Sequence, residues 1–247
     1  MTAAAPAAPA AIEAAETALR SLWPSTRDAA LRELLPHDLP SLRDFYPRLQ
    51  RFVTGAARRL DGTVDPAAIV RGDIISMGPG SAIEAGAIVH ESCRLILGAG
   101  SRVRAGTLLR DEVVAGDDCL IGSHCDVARS VLLGPGTALG HSIVFNDSIA
   151  GARVLLSAFI GAANTHLTQG REIAIRTSGG PVPTGRTYLG ALLGDGVRIG
   201  STTTLSPGTI VLPELTIPSA AVLIGIIDSA RREQLMRDFF ERWEPRS

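Results

Sequence analysis

The sequence predicts a mainly β chain wound as a parallel β-helix, with helices at both ends. Three observations carry that prediction. From Leu97 to Ala150 the chain divides into sixes, LGAGSR, VRAGTL, LRDEVV, AGDDCL, IGSHCD, VARSVL, LGPGTA, LGHSIV and FNDSIA, most opening on an aliphatic residue. A second run of sixes, LGDGVR to IPSAAV, covers Leu193 to Val222. The chain also holds 26 Gly but only 4% aromatic residues, so its interior is packed with small and branched side chains rather than rings.

A period of six with Gly or Asp near many corners is the pattern of a hexapeptide solenoid. Each six supplies a short strand and a corner, three sixes close a triangular coil of about 18 residues, and coils stack at about 4.8 Å. Openers such as Leu97, Val103, Leu109, Ile121, Val127, Leu133 and Leu139 point into the triangle. The residue four places on shares the same narrow prism and must be small. Cys93, Cys119 and Cys125 all fall on that inward position, so they read as buried packing residues rather than nucleophiles or metal ligands.

The flanks differ in texture. Residues 1–60 contain one glycine, Gly55. An Ala/Pro-rich flexible tail is expected over 1–10, and a helical segment over 11–61. Ser25 and Thr26 are candidate caps for a helix carrying Leu31, Leu34 and Leu35, and Ser41 precedes a second periodic stretch with Leu42, Phe45, Leu49 and Phe52. Pro47 falls inside that stretch and kinks it or delays its start. The solenoid is expected over 62–227, interrupted by an inserted loop at about 155–192 where the sixes fail. A final helix over 228–247 is capped by Asp228 or Ser229 and carries Leu235, Met236, Phe239, Phe240 and Trp243 at helical spacing.

Composition narrows the function. The 247 residues carry 24 positive and 25 negative side chains, so nothing points to nucleic acid or to a charged membrane surface. All 24 positives are Arg, which removes Schiff-base chemistry and a P-loop lysine. Three Cys, no basic-plus-apolar leader and no run of roughly 20 apolar residues point to a cytoplasmic protein without a disulfide framework.

Three stretches in order, LRDEVVAGDDCLIGSHCDVARS, LGHSIVFNDSIAG and TGRTYLGALLGDGVRIG, resemble the left-handed β-helix acyltransferases of the hexapeptide-repeat type. The likeness is strongest to the C-terminal acetyltransferase domain of bifunctional sugar-1-phosphate nucleotidylyltransferases, of the N-acetylglucosamine-1-phosphate uridylyltransferase kind, and covers about residues 62–225. The nucleotidylyltransferase domain has no counterpart here.

The resemblance implies left-handed winding, homotrimers with each active site between neighbouring prisms, and acetyl-CoA or another acyl-CoA as co-substrate, with no metal. It implies His141 as general base and Asn164 as an acceptor-binding residue. Arg110 and Arg129 resemble the two cations that hold the acceptor's phosphate. Two positions depart from the family: Val144 replaces a tyrosine, and the lysine expected near Gly170 and Arg171 is absent.

The leading expectation is an acyl-CoA-dependent transferase acting on a sugar phosphate, nucleotide sugar or similar small polar acceptor. A histidine near its ordinary pKa suits removal of the acceptor's proton, and backbone N–H groups at Gly-rich corners suit an oxyanion. Two alternatives stand beside it. One is a non-enzymatic module that binds a nucleotide sugar or organises an assembly. The other is a zinc β-helix of the carbonic-anhydrase kind, weakened because that branch places two histidines five residues apart and no such pair occurs here.

Overall fold

The computed structural model describes residues 7–242 except Gln169. Its body is a parallel β-helix with three faces. On the first face eight short strands stack in one sheet, from Thr63–Val64 through Leu120–Ile121 and Ala138–Leu139 to Thr216–Ile217. Leu120 lies beside Ala138 and Ile121 beside Leu139, so one coil consumes eighteen residues. The second face includes Val144–Asn146, Gly161–Ala162 and Thr204–Leu205. The third includes Ile149–Ala150, Leu192–Leu193 and Ile210–Val211. Two long strands, Leu108–Ala115 and Asp126–Leu132, run from the second face round a corner into the third.

The prism interior is a column of aliphatic side chains, including Val103, Leu109, Ile121, Val127, Leu139, Phe145 and Leu156, all fully buried. The corners between them are tight. A methyl group added at Gly122 would overlap the carbonyl oxygen of Gly140 in the next coil, which is why that corner has no side chain. One opener departs from the expected register: Leu132, not Leu133, faces inward, pairing with Ala115 and Ala150. The corner before it is one residue short, Ala128 to Ser130 lying beside Arg110 to Val113, so Leu133 turns outward.

Leu133 is buried all the same, because the third face is covered. Its outward residues Val114, Val131, Ile149, Leu192 and Ile210 join a second core with the N-terminal helices. Burial on both sides explains why this face reads as continuous apolar runs rather than alternation. Helix α1 (Pro9–Ser21) buries Ala11, Ala15, Ala18 and Leu19, and its small residues let it lie close against Gly179. Helix α2 (Ala29–Leu34) is capped by Asp28, whose carboxylate accepts from the Leu31 amide at 2.9 Å; Ser25 and Thr26 are not its caps. Helix α3 (Leu39–Arg43) starts at a capping box in which Asp38 is the cap and Ser41 its reciprocal partner. Helix α4 (Phe45–Gly55) buries Phe45, Leu49 and Val53, and Pro47 sits in its first turn, where no intrahelical N–H bond is lost.

The solenoid strands continue through Gly161–Ala162, so the chain leaves the prism there rather than at about residue 155. Residues 163–191 form an excursion containing an antiparallel hairpin, Ala174–Thr177 with Gly180–Pro183, and the prism resumes at Leu192. Leu155 then pairs directly with Arg198, so the stack is unbroken. Helix α5 (Ser229–Glu241) is capped by Asp228, which accepts from the Arg231 amide at 2.8 Å. Its Leu235 belongs to the prism core, so the helix closes that end. Trp243 lies outside the described residues. Among those residues no helix is long and apolar enough to cross a membrane.

All three cysteines are free and buried inside the prism. Burial above all pushes the Cys93 and Cys119 thiols up to about 12, with nearby carboxylates adding to it. The folded state therefore holds these protons more tightly than the unfolded chain does. Their contribution is intact below the ordinary thiol value near 9 and is lost as pH climbs toward 12. Thermal melts between about pH 9 and pH 11 are expected to lose roughly 1 kcal/mol per thiol per pH unit across that window. A Cys93→Ala, Cys119→Ala chain should show a shallower slope; an identical slope would refute the assignment.

Candidate functional site

The corner between the second and third faces carries a column of polar residues. Asp111, Arg129 and Asp147 occupy the same place in three successive coils, two residues after the inward Leu109, Val127 and Phe145. All three have left-handed backbones, with φ of 55°, 48° and 50°. Aspartate tolerates that conformation better than most residues, whereas an arginine there needs compensation from its contacts. Arg129 has it. Its guanidinium donates to Asp147 through Nε at 2.8 Å and Nη2 at 2.7 Å, and through Nη1 to Asp111. These carboxylates hold Arg129 above the usual arginine range, against the opposing effect of burial.

Asn164, at the point where the excursion departs, donates its amide to Asp147 at 2.7 Å. Asp147 is thus buried with three donors on its carboxylate. Tyr188, on the returning limb of the excursion, places its ring 6.0 Å from the Arg129 guanidinium carbon. Arg186 donates to the Tyr188 carbonyl at 2.9 Å and to the Arg43 carbonyl at 3.2 Å, tying the excursion to α3. Burial lowers its pKa, with Asp147 opposing and the Arg129 charge adding to the fall. Beside the column, Glu112 is only 5% exposed, and among the described residues one of its oxygens has no hydrogen-bond partner. Tyr46 of α4 lies near it, and burial first, then the Glu112 carboxylate, push the Tyr46 phenol up to about 12.

Two of the four residues singled out in the sequence therefore meet, Arg129 and Asn164, joined through Asp147. The other two lie elsewhere. Arg110 is on the second face and donates to Asp126, through Nη2 to both carboxylate oxygens at 2.7 and 2.9 Å and through Nε at 3.2 Å. His141 is on the opposite corner, between the first and second faces, with its ring exposed to solvent. Among the described residues its ring has no hydrogen-bond or ion-pair partner, and only its carbonyl is engaged, by the Phe159 amide at 2.9 Å. Around it the chain presents apolar surface: Phe159 is 64% exposed and Val144 45%. Sequence reasoning passed over Asp111, Asp126, Asp147 and Tyr188. The first and third were visible as the hexad place that Arg129 also holds, one coil to either side. Among the described residues no three His, Cys, Asp or Glu side chains converge as a metal site.

No protein-family model matches the chain, and no curated protein matches it. Solved structures similar to it include the acetyltransferase domain of PglB from Neisseria gonorrhoeae, at 15% identity over 76% of this chain with a TM-score of 0.32. This chain spans 60% of that protein's length. A hexapeptide transferase family protein from Anaplasma phagocytophilum matches at 12% identity over 73% of this chain and 87% of its own, with a TM-score of 0.26. AntD, an N-acyltransferase from Bacillus cereus solved with dTDP and coenzyme A, matches at 13% identity over 78% of this chain and 96% of its own, with a TM-score of 0.29.

Proposed function

We propose that this protein is an acyl-CoA-dependent acyltransferase whose general base is His141. The acceptor is a sugar phosphate, nucleotide sugar or similar small polar molecule carrying an amine or hydroxyl. The observation that carries the reading is the setting of His141: an exposed imidazole with no ring partner among the described residues, on a prism corner beside the solvent-facing Phe159 and Val144. An exposed apolar rim around a polar group is unfavourable to leave in water and suits closure by a neighbouring molecule. In this reading three copies pack prism to prism, and the second prism supplies the missing wall.

The chemistry asks for little machinery. The imidazole takes the proton from the acceptor's amine or hydroxyl as that atom attacks the thioester carbonyl. The tetrahedral intermediate then expels coenzyme A as its thiolate, which recovers a proton from the imidazolium. Acyl carbon to acceptor is the bond formed, and acyl carbon to sulfur is the bond broken.

The test is thiol release from acetyl-CoA with a panel of amino sugars, sugar phosphates and nucleotide sugars. The His141→Ala chain is expected to lose about 10²–10⁴-fold in rate with its melting temperature retained. Sedimentation should give a trimer, and Phe159→Glu should dissociate it. A second reading, a binding or assembly module without chemistry, draws on the carboxylate pairing of both Arg110 and Arg129. It becomes the better one if no acceptor releases thiol and calorimetry finds no coenzyme A binding.

A further inference from the structure

Between the excursion and the last coils lies a cavity of about 410 Å³, lined in part by His166, Arg171, Glu172, Arg176 and Ser206. Its size falls within the range of small-molecule sites, about 300–1,000 Å³. Strand alternation in the hairpin fixes one of its cations. Ile175 and Val182 are buried in the core beneath α1, so Arg176, the next residue along, projects away from that core. Arg171 enters from the limb that precedes the hairpin. Among the described residues neither guanidinium has a side-chain hydrogen bond or ion pair, unlike Arg110, Arg129 and Arg153, which are all held by carboxylates.

The charges of the cavity do not balance. Two guanidinium groups face one carboxylate, Glu172, with the half-buried His166 beside them, and one oxygen of that carboxylate already accepts from the Gly185 amide. An adjacent cavity of about 680 Å³ shares Arg176 and Ile224, yet there Glu13 and Asp228 offset Arg176 and Arg231. An anion is therefore favoured on the excursion side and not on the α1 side. Unpaired guanidinium forks converging with a ring N–H and a serine hydroxyl are suited to the tetrahedral oxygens of a phosphate group.

We propose that this cavity binds the phosphate group of a small phosphorylated organic molecule, through Arg171 and Arg176. The assignment stands apart from the acyl-transfer reading, and its test contains no acyl donor. The full chain is titrated by calorimetry at low salt with inorganic phosphate, a hexose phosphate and AMP, beside the free hexose and adenosine. At least one phosphorylated compound is expected to bind with a Kd of ~1 mM or tighter while the uncharged pair does not.

Arg171→Ala with Arg176→Ala should weaken that binding at least about tenfold. Glu172→Gln keeps the acceptor for the Gly185 amide but removes the opposing charge, and should tighten it about two- to fivefold. That second variant decides the matter should the double arginine variant fail to fold. Equal affinity for all three compounds assigns the site to the phosphate alone; a preference names the organic body. The proposal fails if no phosphorylated compound binds, or if binding is unchanged in Glu172→Gln and in a folded double variant.

Discussion

Replacing Asp195 with alanine is expected to cost about 3–5 kcal/mol and to loosen the N-terminal helices from the prism. Asp195 is 1% exposed, and its carboxylate joins three parts of the chain. One oxygen accepts from the Ala152 amide at 2.8 Å; the other accepts from the Ser25 amide at 2.8 Å and the Ser25 hydroxyl at 2.6 Å. Its own amide donates to the Leu22 carbonyl at 2.9 Å, just where α1 ends. Alanine keeps that last bond but strands two backbone donors. Asparagine is predicted to be nearly as damaging, since its NH₂ must face an N–H on one side.

The loss should appear as a fall of roughly 6–20 °C in melting temperature for a chain of this size. Trp23 offers a local readout, because it is nearly buried and donates its indole N–H to the Leu193 carbonyl at 3.0 Å. Its fluorescence should shift to the red before the solenoid unfolds. A variant within about 1 kcal/mol of the parent, with unshifted emission, would show that apolar packing alone holds the helices.

The same clamp marks where sequence reading stops. The prism was legible because its repeat is local: every six residues the same steric demand recurs, and the openers obey it. The single slip at Leu133 arises where one corner is a residue short, and period counting has no means of registering a deletion that the next side of the same coil makes good. The caps were misassigned for a related reason. Ser25 has the right chemistry for a helix cap, but its hydroxyl is taken by Asp195, 170 residues away. Asp28 then performs the capping three residues on. Long-range hydrogen bonds of this sort leave no periodic trace.

For the candidate site the division is similar. Arg129 and Asn164 could be picked out by likeness to a family, whereas their shared partner Asp147 shows in the sequence only through its repeat position, eighteen residues after Arg129. The structure has Nε, Nη1 and Nη2 of Arg129 all engaged by carboxylates. A sugar phosphate at that corner would have to displace Asp111 or Asp147 from the guanidinium. Two open cations that line a cavity, Arg171 and Arg176, are instead on the excursion, whose irregular sequence carries no repeat from which to infer it.

Asp147 therefore has its largest role in the corner itself, and Asp147→Asn is expected to destabilise by about 2–3 kcal/mol. Asparagine tolerates the left-handed backbone at this position, so the loss reports the carboxylate and not strain. Its single carbonyl oxygen, set where Oδ2 now accepts from both Arg129 Nη2 and Asn164, leaves its NH₂ opposing the Arg129 Nε donor. Arg129 keeps Asp111 and some contact with water, which holds the cost below that of a fully stranded buried charge.

Asp147→Ala should lose about 1 kcal/mol more, from placing alanine at positive φ. A double-mutant cycle with Arg129→Gln isolates the pair: the two single changes should overlap by about 2 kcal/mol, because each removes the same contact. Strict additivity would mean that Asp147 acts through Asn164 and the excursion rather than through Arg129. In that event Asn164→Ala should reproduce most of the Asp147→Asn loss, whereas a dominant Arg129 pair predicts that it costs only about 1 kcal/mol.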